Sequence, residues 1–170
     1  FNYTHSPKAQ DAGGLTLDQA LKNPSQARQR NVDYDTFEKI DQLKMGVRWL
    51  QKWRSEWNLD TYAFFSIRDF YGKLPFENGG IVDLYRNYFG AGSRLTYSKT
   101  IKNISHQWQL GMEAASQSDQ RDRFLNQNGT QGASVFSQQE RFDSFGLYVL
   151  DELKAEQWLL RSSLRFDHQT

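Results

Sequence analysis

Cysteine is absent from the 170 residues, which excludes a disulfide scaffold and any thiolate metal site. Long apolar runs are missing as well. No stretch approaches the roughly 18 residues that a transmembrane helix requires, and the mean hydropathy is −0.79. Nor is there a surplus of one charge: the formal net charge is +1 with 24% charged residues, without the basic excess that nucleic-acid binding leaves. Catalytic signatures are wanting too, with no Gly-x-Ser-x-Gly, no Walker loop and no dinucleotide fingerprint. His5, His106 and His168 stand far apart, without metal-ligand spacing. The sequence is therefore read as non-enzymatic, with no cofactor, no metal and no nucleic-acid partner.

What is present is an unusual order of connections. Short links around Gln51–Glu56, Ser98–Ser105 and Lys154–Gln157 alternate with long polar ones at Pro7–Thr36, Gly72–Val82 and Gln117–Gln139. A soluble sandwich has no reason to sort its links by length onto two ends. An outer-membrane barrel does, with short periplasmic turns and longer extracellular loops. The low mean hydropathy agrees, because barrel strands alternate apolar with polar residues and their loops are polar. Aromatic residues make up 15% of the chain, five of them Trp. Interfacial girdles or a stacking surface for ligands would accommodate them.

About seven strands are predicted. Phe1–Thr4 reads as the end of one, and residues from Arg165 onward as a strand in progress, so a fragment of a larger protein is expected. Between them, Asp41–Trp49 sets Leu43, Met45, Val47 and Trp49 against Gln42, Lys44, Gly46 and Arg48, the period of two that marks a strand. Trp57–Phe70 and Asp83–Tyr97 follow, with Phe65 and Leu95 on their apolar faces. His106–Gln117 opposes Trp108, Leu110 and Met112 to Gln107, Gly111 and Glu113. Arg141–Leu153 is ambiguous, and Phe145, Leu147 and Val149 are assigned outward. The last strand opposes Leu160, Leu164 and Phe166 to Arg161, Arg165 and Asp167.

Runs of about 9–14 residues exceed the usual 5–6 of globular sheets and suit tilted bilayer crossing. The polar faces bear Arg48, Arg68, Arg94, Glu113, Arg161, Arg165 and Asp167. Unpaired, such charges would cost several kcal/mol in a dry core, whereas a wet or plugged lumen hydrates or pairs them. Trp49, Trp53, Trp57, Tyr97 and Trp158 gather near the tight turns, as an aromatic girdle would. One stretch departs from the pattern: Leu17 and Leu21 at helical spacing, after Thr16 with Gln19 three residues on, predict a short capped helix that Pro24 stops.

The chain resembles the barrel region of bacterial TonB-dependent outer-membrane receptors of the ferric-siderophore uptake kind. The likeness rests on Asn2-Tyr3-Thr4-His5-Ser6-Pro7-Lys8-Ala9 with Gly13-Gly14-Leu15-Thr16-Leu17, and on Arg68-Asp69-Phe70 before Leu74-Pro75-Phe76 and Gly79-Gly80-Ile81-Val82-Asp83. Gly146-Leu147-Tyr148-Val149-Leu150-Asp151-Glu152-Leu153, Trp158 and Leu164-Arg165-Phe166-Asp167 complete it. The resemblance spans residues 1–170 and implies an all-β antiparallel meander, part of a plugged transmembrane β-barrel whose plug domain is not in this sequence. It also implies a ferric siderophore or similar ligand, the plug of the same parent chain, the TonB complex and outer-membrane lipid as partners.

By that resemblance, ligand capture falls to loop-end arginines and aromatics, here Arg68, Tyr71, Arg86 and Tyr88; salt bridges or solvated loop stems are the competing reading. Arg supplies a non-titrating bidentate charge, and Tyr a stacking face with a polar tip. Arg48, Arg94, Glu113, Arg161 and Arg165 are candidates to face the plug, with simple hydration as the alternative. Ser116–Arg123 lacks calcium-loop spacing and is expected to be a solvated loop stem. A passive porin-like barrel and a soluble all-β carbohydrate-binding module are the alternatives to a receptor.

Overall fold

The computed structural model describes residues 1–170. Seven strands form one sheet in strict sequence order: β1 (Asn2–Gln10), β2 (Phe37–Trp53), β3 (Trp57–Lys73), β4 (Ile81–Ile101), β5 (Ile104–Gln127), β6 (Thr130–Ala155) and β7 (Trp158–Gln169). β1 and β7 each have a single strand neighbour, so the sheet is an unclosed antiparallel meander. Register is regular from Ser144↔Gln169 to Ala155↔Trp158, and shifts once between β1 and β2, at Ser6/Ala9.

Two helices interrupt the β1–β2 connection: α1 (Leu17–Lys22) and α2 (Gln29–Asp33). The predicted capping box of α1 is formed. The Gln19 amide donates to Thr16 Oγ1 at 3.4 Å, and the Thr16 amide to Gln19 Oε1 at 3.0 Å. α2 has no apolar periodicity and no side-chain cap, so the sequence carried no signal for it.

The expected long link at Gln117–Gln139 is not a loop. β5 and β6 continue to Gln127 and from Thr130, joined by a two-residue turn in which Asn128 and Gly129 have φ of 49° and 87°. Positive φ at both central residues is what a type I′ hairpin requires, and Asn-Gly is its preferred pair. Polar composition alone argues for a loop. A strand that packs no apolar face needs no hydrophobic alternation, so its sequence looks like a connection. Ser116–Arg123, expected as a loop stem, lies inside β5. The link after β3 shrinks to Leu74–Gly80, and β1 reaches Gln10. Length asymmetry thus resides in the strands as much as in the links.

The chain divides into two compact units. One comprises Phe1–Lys44, Ser66–Asn87 and Ser118–Glu140; the other Met45–Phe65, Tyr88–Gln117 and Arg141–Thr170. The tight turns at 54–56, 102–103 and 156–157 all fall in the second unit, and the other three connections in the first. Neither has a conventional hydrophobic core. Ile81 is the one fully buried apolar side chain, whereas Asn31, Thr36, Asp119 and Asn126 are buried polar groups, and all five belong to the first unit.

Candidate functional site

In the second unit the strand period sorts side chains as the sequence requires. Met45, Val47 and Trp49, then Trp108, Leu110 and Met112, then Phe145, Leu147 and Val149, and Leu160, Leu164 and Phe166 are all exposed. Their partners across each strand are the charged and Tyr-rich positions. The outward assignment in β6 is supported by contacts on the opposite face, where Glu152 accepts from Arg161 Nε at 2.5 Å and Arg165 lies over the Tyr148 ring. Aromatics near the tight turns meet one another: Trp57 and Tyr97 have centroids 4.6 Å apart, and Tyr97 and Trp108 6.4 Å apart.

The polar face of this unit pairs its charges internally. Arg48 chelates Asp60 (Nε–Oδ1 2.8 Å, Nη2–Oδ2 2.7 Å), and Arg94 reaches the same carboxylate at 2.9 Å. Arg165 bonds Glu113 and Asp167, the latter at 2.7 Å. Four arginines thus meet four carboxylates, counting Arg161 with Glu152. All five candidates for plug contact, Arg48, Arg94, Glu113, Arg161 and Arg165, lie on this face with a partner from the sheet itself. Aromatic rings cover glycines there. Tyr148 lies against Gly111, and a Cβ built on Gly92 would stand 2.7 Å from the Tyr62 ring, so the rings reach the backbone only because those side chains are missing. Tyr88, a ligand candidate, is packed on Phe64 with centroids 5.0 Å apart. A recess of about 290 Å3 opens among Arg48, Asp60, Tyr62, Arg94, Glu113 and Tyr148.

In the first unit the arrangement is different. Arg86 grips Asp119 through two bonds of 2.8 and 2.5 Å, and Asp119 is 1% exposed. Arg121 pairs with Glu140 at 3.3 Å. Arg68 stacks over Phe70 at 5.3 Å, and its Nε is buried without a hydrogen-bond partner. Tyr71 falls on the other face of β3 from Arg68 by the strand period; its hydroxyl donates to Gln131 at 3.2 Å, and its ring meets Phe37 at 6.0 Å.

Asn126 joins three connections. Its amide group donates to the carbonyls of Tyr34 (3.3 Å) and Leu74 (3.0 Å), and its Oδ1 accepts from the Gly129 amide at 2.8 Å. The Asn126 backbone amide adds a bond to Glu77 O at 2.7 Å. Lys73 ties the same segments through Gly129 O at 2.5 Å and Asp35 at 3.2 Å, while Lys8 holds Asp35 at 3.0 Å. The Lys8 hydrogen bond, with Lys73 behind it, holds the Asp35 carboxyl below its ordinary range. Asp11, Asn31 and Thr36 close the β1–β2 connection, the Thr36 hydroxyl donating to Asp11 O at 2.8 Å. Asn126, Asp119, Asp35 and Lys73 escaped sequence reading. A lone Asn or Asp in a polar stretch has no signature, and only the hairpin register would have pointed to Asn126.

Charged, stacked and carboxylate groups are thus held on a sheet that exposes an apolar face, and comparison with known proteins gives this arrangement its context. The family description that matches residues 1–170 is "TonB dependent receptor-like, beta-barrel". Among solved structures, the unliganded ferric citrate transporter FecA superposes with TM-score 0.60 at 16% identity, over 93% of this chain and 24% of that one. The siderophore receptor PiuA from Acinetobacter baumannii gives 0.58 at 13% identity, over 79% and 26%. The outer membrane transporter YddB from Escherichia coli gives 0.54 at 15%, over 79% and 22%. At these identities the likeness concerns the fold, and the chain spans about a quarter of each structure's length. With the family description matching from first residue to last, the chain belongs to the TonB-dependent receptor-like β-barrel family.

Proposed function

We propose that this chain is a segment of a bacterial outer-membrane receptor that takes up ferric siderophore, or a similarly scarce nutrient, by energised transport. The carrying observation is the two-faced sheet: its apolar side chains stay exposed while its charges pair on the opposite face. In lipid, a lone apolar face is solvated and all strand backbone groups are paired once the barrel closes. A soluble sandwich would need a second sheet on the apolar face, and all seven strands belong to one.

Under this reading Arg68, Tyr71, Arg86 and Tyr88 serve the ligand. Arg68 is the strongest of them, because no carboxylate pairs its guanidinium, whereas Arg86 is committed to Asp119. Arg48, Arg94, Glu113, Arg161 and Arg165 would meet the plug of the same protein, and the TonB complex would act through that plug. Growth of a deletion strain on a panel of iron sources tests the proposal. Loss of growth on one ferric siderophore, restored by the full-length gene, is the expected result. Unimpaired growth on every iron source, with passive diffusion of small solutes lost instead, would favour a porin-like barrel.

A further inference from the structure

The apolar face carries a carboxylate where lipid should be. Asp151 shares the parity of Phe145, Leu147 and Val149 in β6, opposite Ser162 of β7, and so lies on the face assigned to the bilayer. Its Oδ1 is shielded from solvent and has no hydrogen-bond partner. It lines a cavity of about 470 Å3 whose other walls include Trp57, Leu95, Tyr97, Trp108 and Val149. A shielded carboxylate oxygen without a donor is costly, and neither the indole N–H groups nor the Tyr97 hydroxyl of the surrounding walls bonds it.

The neighbouring positions are of opposite charge. The two-residue turn at Lys102-Asn103 places Lys99 two residues beyond Tyr97 and His106 two residues before Trp108. By the strand period both point from the same face as those aromatics. Between Tyr97 and Trp108 there are Lys99, Lys102 and His106 and no Asp or Glu, whereas the other two tight turns each include Glu56 or Glu156. Along this face, then, come an apolar row (Leu95, Leu110), an aromatic row with one carboxylate, and a row of N–H donors.

Resting on the membrane reading above, we propose that this rim binds one phosphatidylethanolamine. Its phosphate accepts from Lys99 and His106, its ammonium donates to Asp151, and an acyl chain lies in the aromatic-walled cavity. The ammonium matters: a choline headgroup has the same charge but no N–H, so it cannot satisfy the Asp151 oxygen.

Native mass spectrometry of the full-length protein, purified in detergent and offered equal phosphatidylethanolamine and phosphatidylcholine of identical acyl chains, tests this without any variant. One charge-assisted hydrogen bond predicts about tenfold preferential retention of phosphatidylethanolamine. Asp151→Asn is expected to bring the ratio near one, and Lys99→Ala to weaken both lipids together. Equal retention by the wild-type protein, or a preference that survives Asp151→Asn, overturns the proposal. Failure of the protein to insert into bilayers at all would instead overturn the membrane reading on which it rests.

Discussion

The two units of this chain use one sheet in opposite ways. The second holds its exposed apolar residues on one face and its paired charges on the other, with aromatics at the tight turns. The first buries polar groups: Asn31, Thr36, Asp119 and Asn126 each have partners within it. Under the proposed membrane reading, the difference reflects the solvent each would meet in a barrel. Lipid rewards strict alternation and needs no internal packing between side chains. Strands in water must gain order elsewhere, and charge-assisted and backbone-directed hydrogen bonds supply it in the first unit.

The comparison is broken most forcefully by reversing the apolar face. Leu147→Arg in the full-length receptor is expected to cost about 2–4 kcal/mol near the bilayer midplane, whereas Ser163→Arg on the polar face should stay within about 0.5 kcal/mol. Urea unfolding in lipid vesicles measures both, and equal costs would remove the distinction between the faces. Next comes the buried ion pair of the first unit. Arg86→Leu is expected to cost about 1.5–3 kcal/mol, the range for hydrogen bonds to charged groups, and an Arg86→Leu/Asp119→Leu double mutant should recover part of it. A double mutant that costs as much as the sum of both singles, or more, would deny the pairing.

Asn126→Ala should act more locally. It removes partners from Tyr34 O, Leu74 O and Gly129 N, at about 1–3 kcal/mol if water does not replace them. Faster amide exchange at Gly129, by about tenfold or more, is the expected readout; unchanged exchange would show that Lys73 alone holds the turn. The smallest effect is a pH dependence. Because Lys8 and Lys73 lower the Asp35 pKa from 3.8, its contribution is present above that value and is lost as pH falls through the lower folded value. Protection factors at Thr36 should therefore hold from neutral pH to about pH 5 and decline in more acid solution. Asp35→Asn should abolish that decline.

Legibility in the sequence followed the same division. Where apolar and polar residues alternate with a period of two, Leu43 to Trp49 and Trp158 to Phe166 could be placed on their faces from spacing alone, and the direction assigned to Phe145, Leu147 and Val149 agrees with the contacts of Tyr148 and Glu152. Thr16 and Gln19 announced α1 because a capping box is a local motif. In the first unit, composition misleads: Gln117–Gln139 is rich in Gly, Asn, Gln and Asp yet forms a hairpin. The roles of Asn126 and Asp119 depend on Tyr34, Leu74 and Arg86, 33 to 92 residues away, a separation that no local pattern encodes.

The central claim is that odd positions of β6 face lipid and even ones the polar interior. Because the chain has no cysteine, single Cys substitutions at Leu147, Tyr148, Val149 and Leu150 can be spin-labelled in the reconstituted full-length protein. Collision with dissolved oxygen should dominate at 147 and 149, and collision with a water-soluble nickel chelate at 148 and 150. A flat profile, or the reverse alternation, would contradict the account.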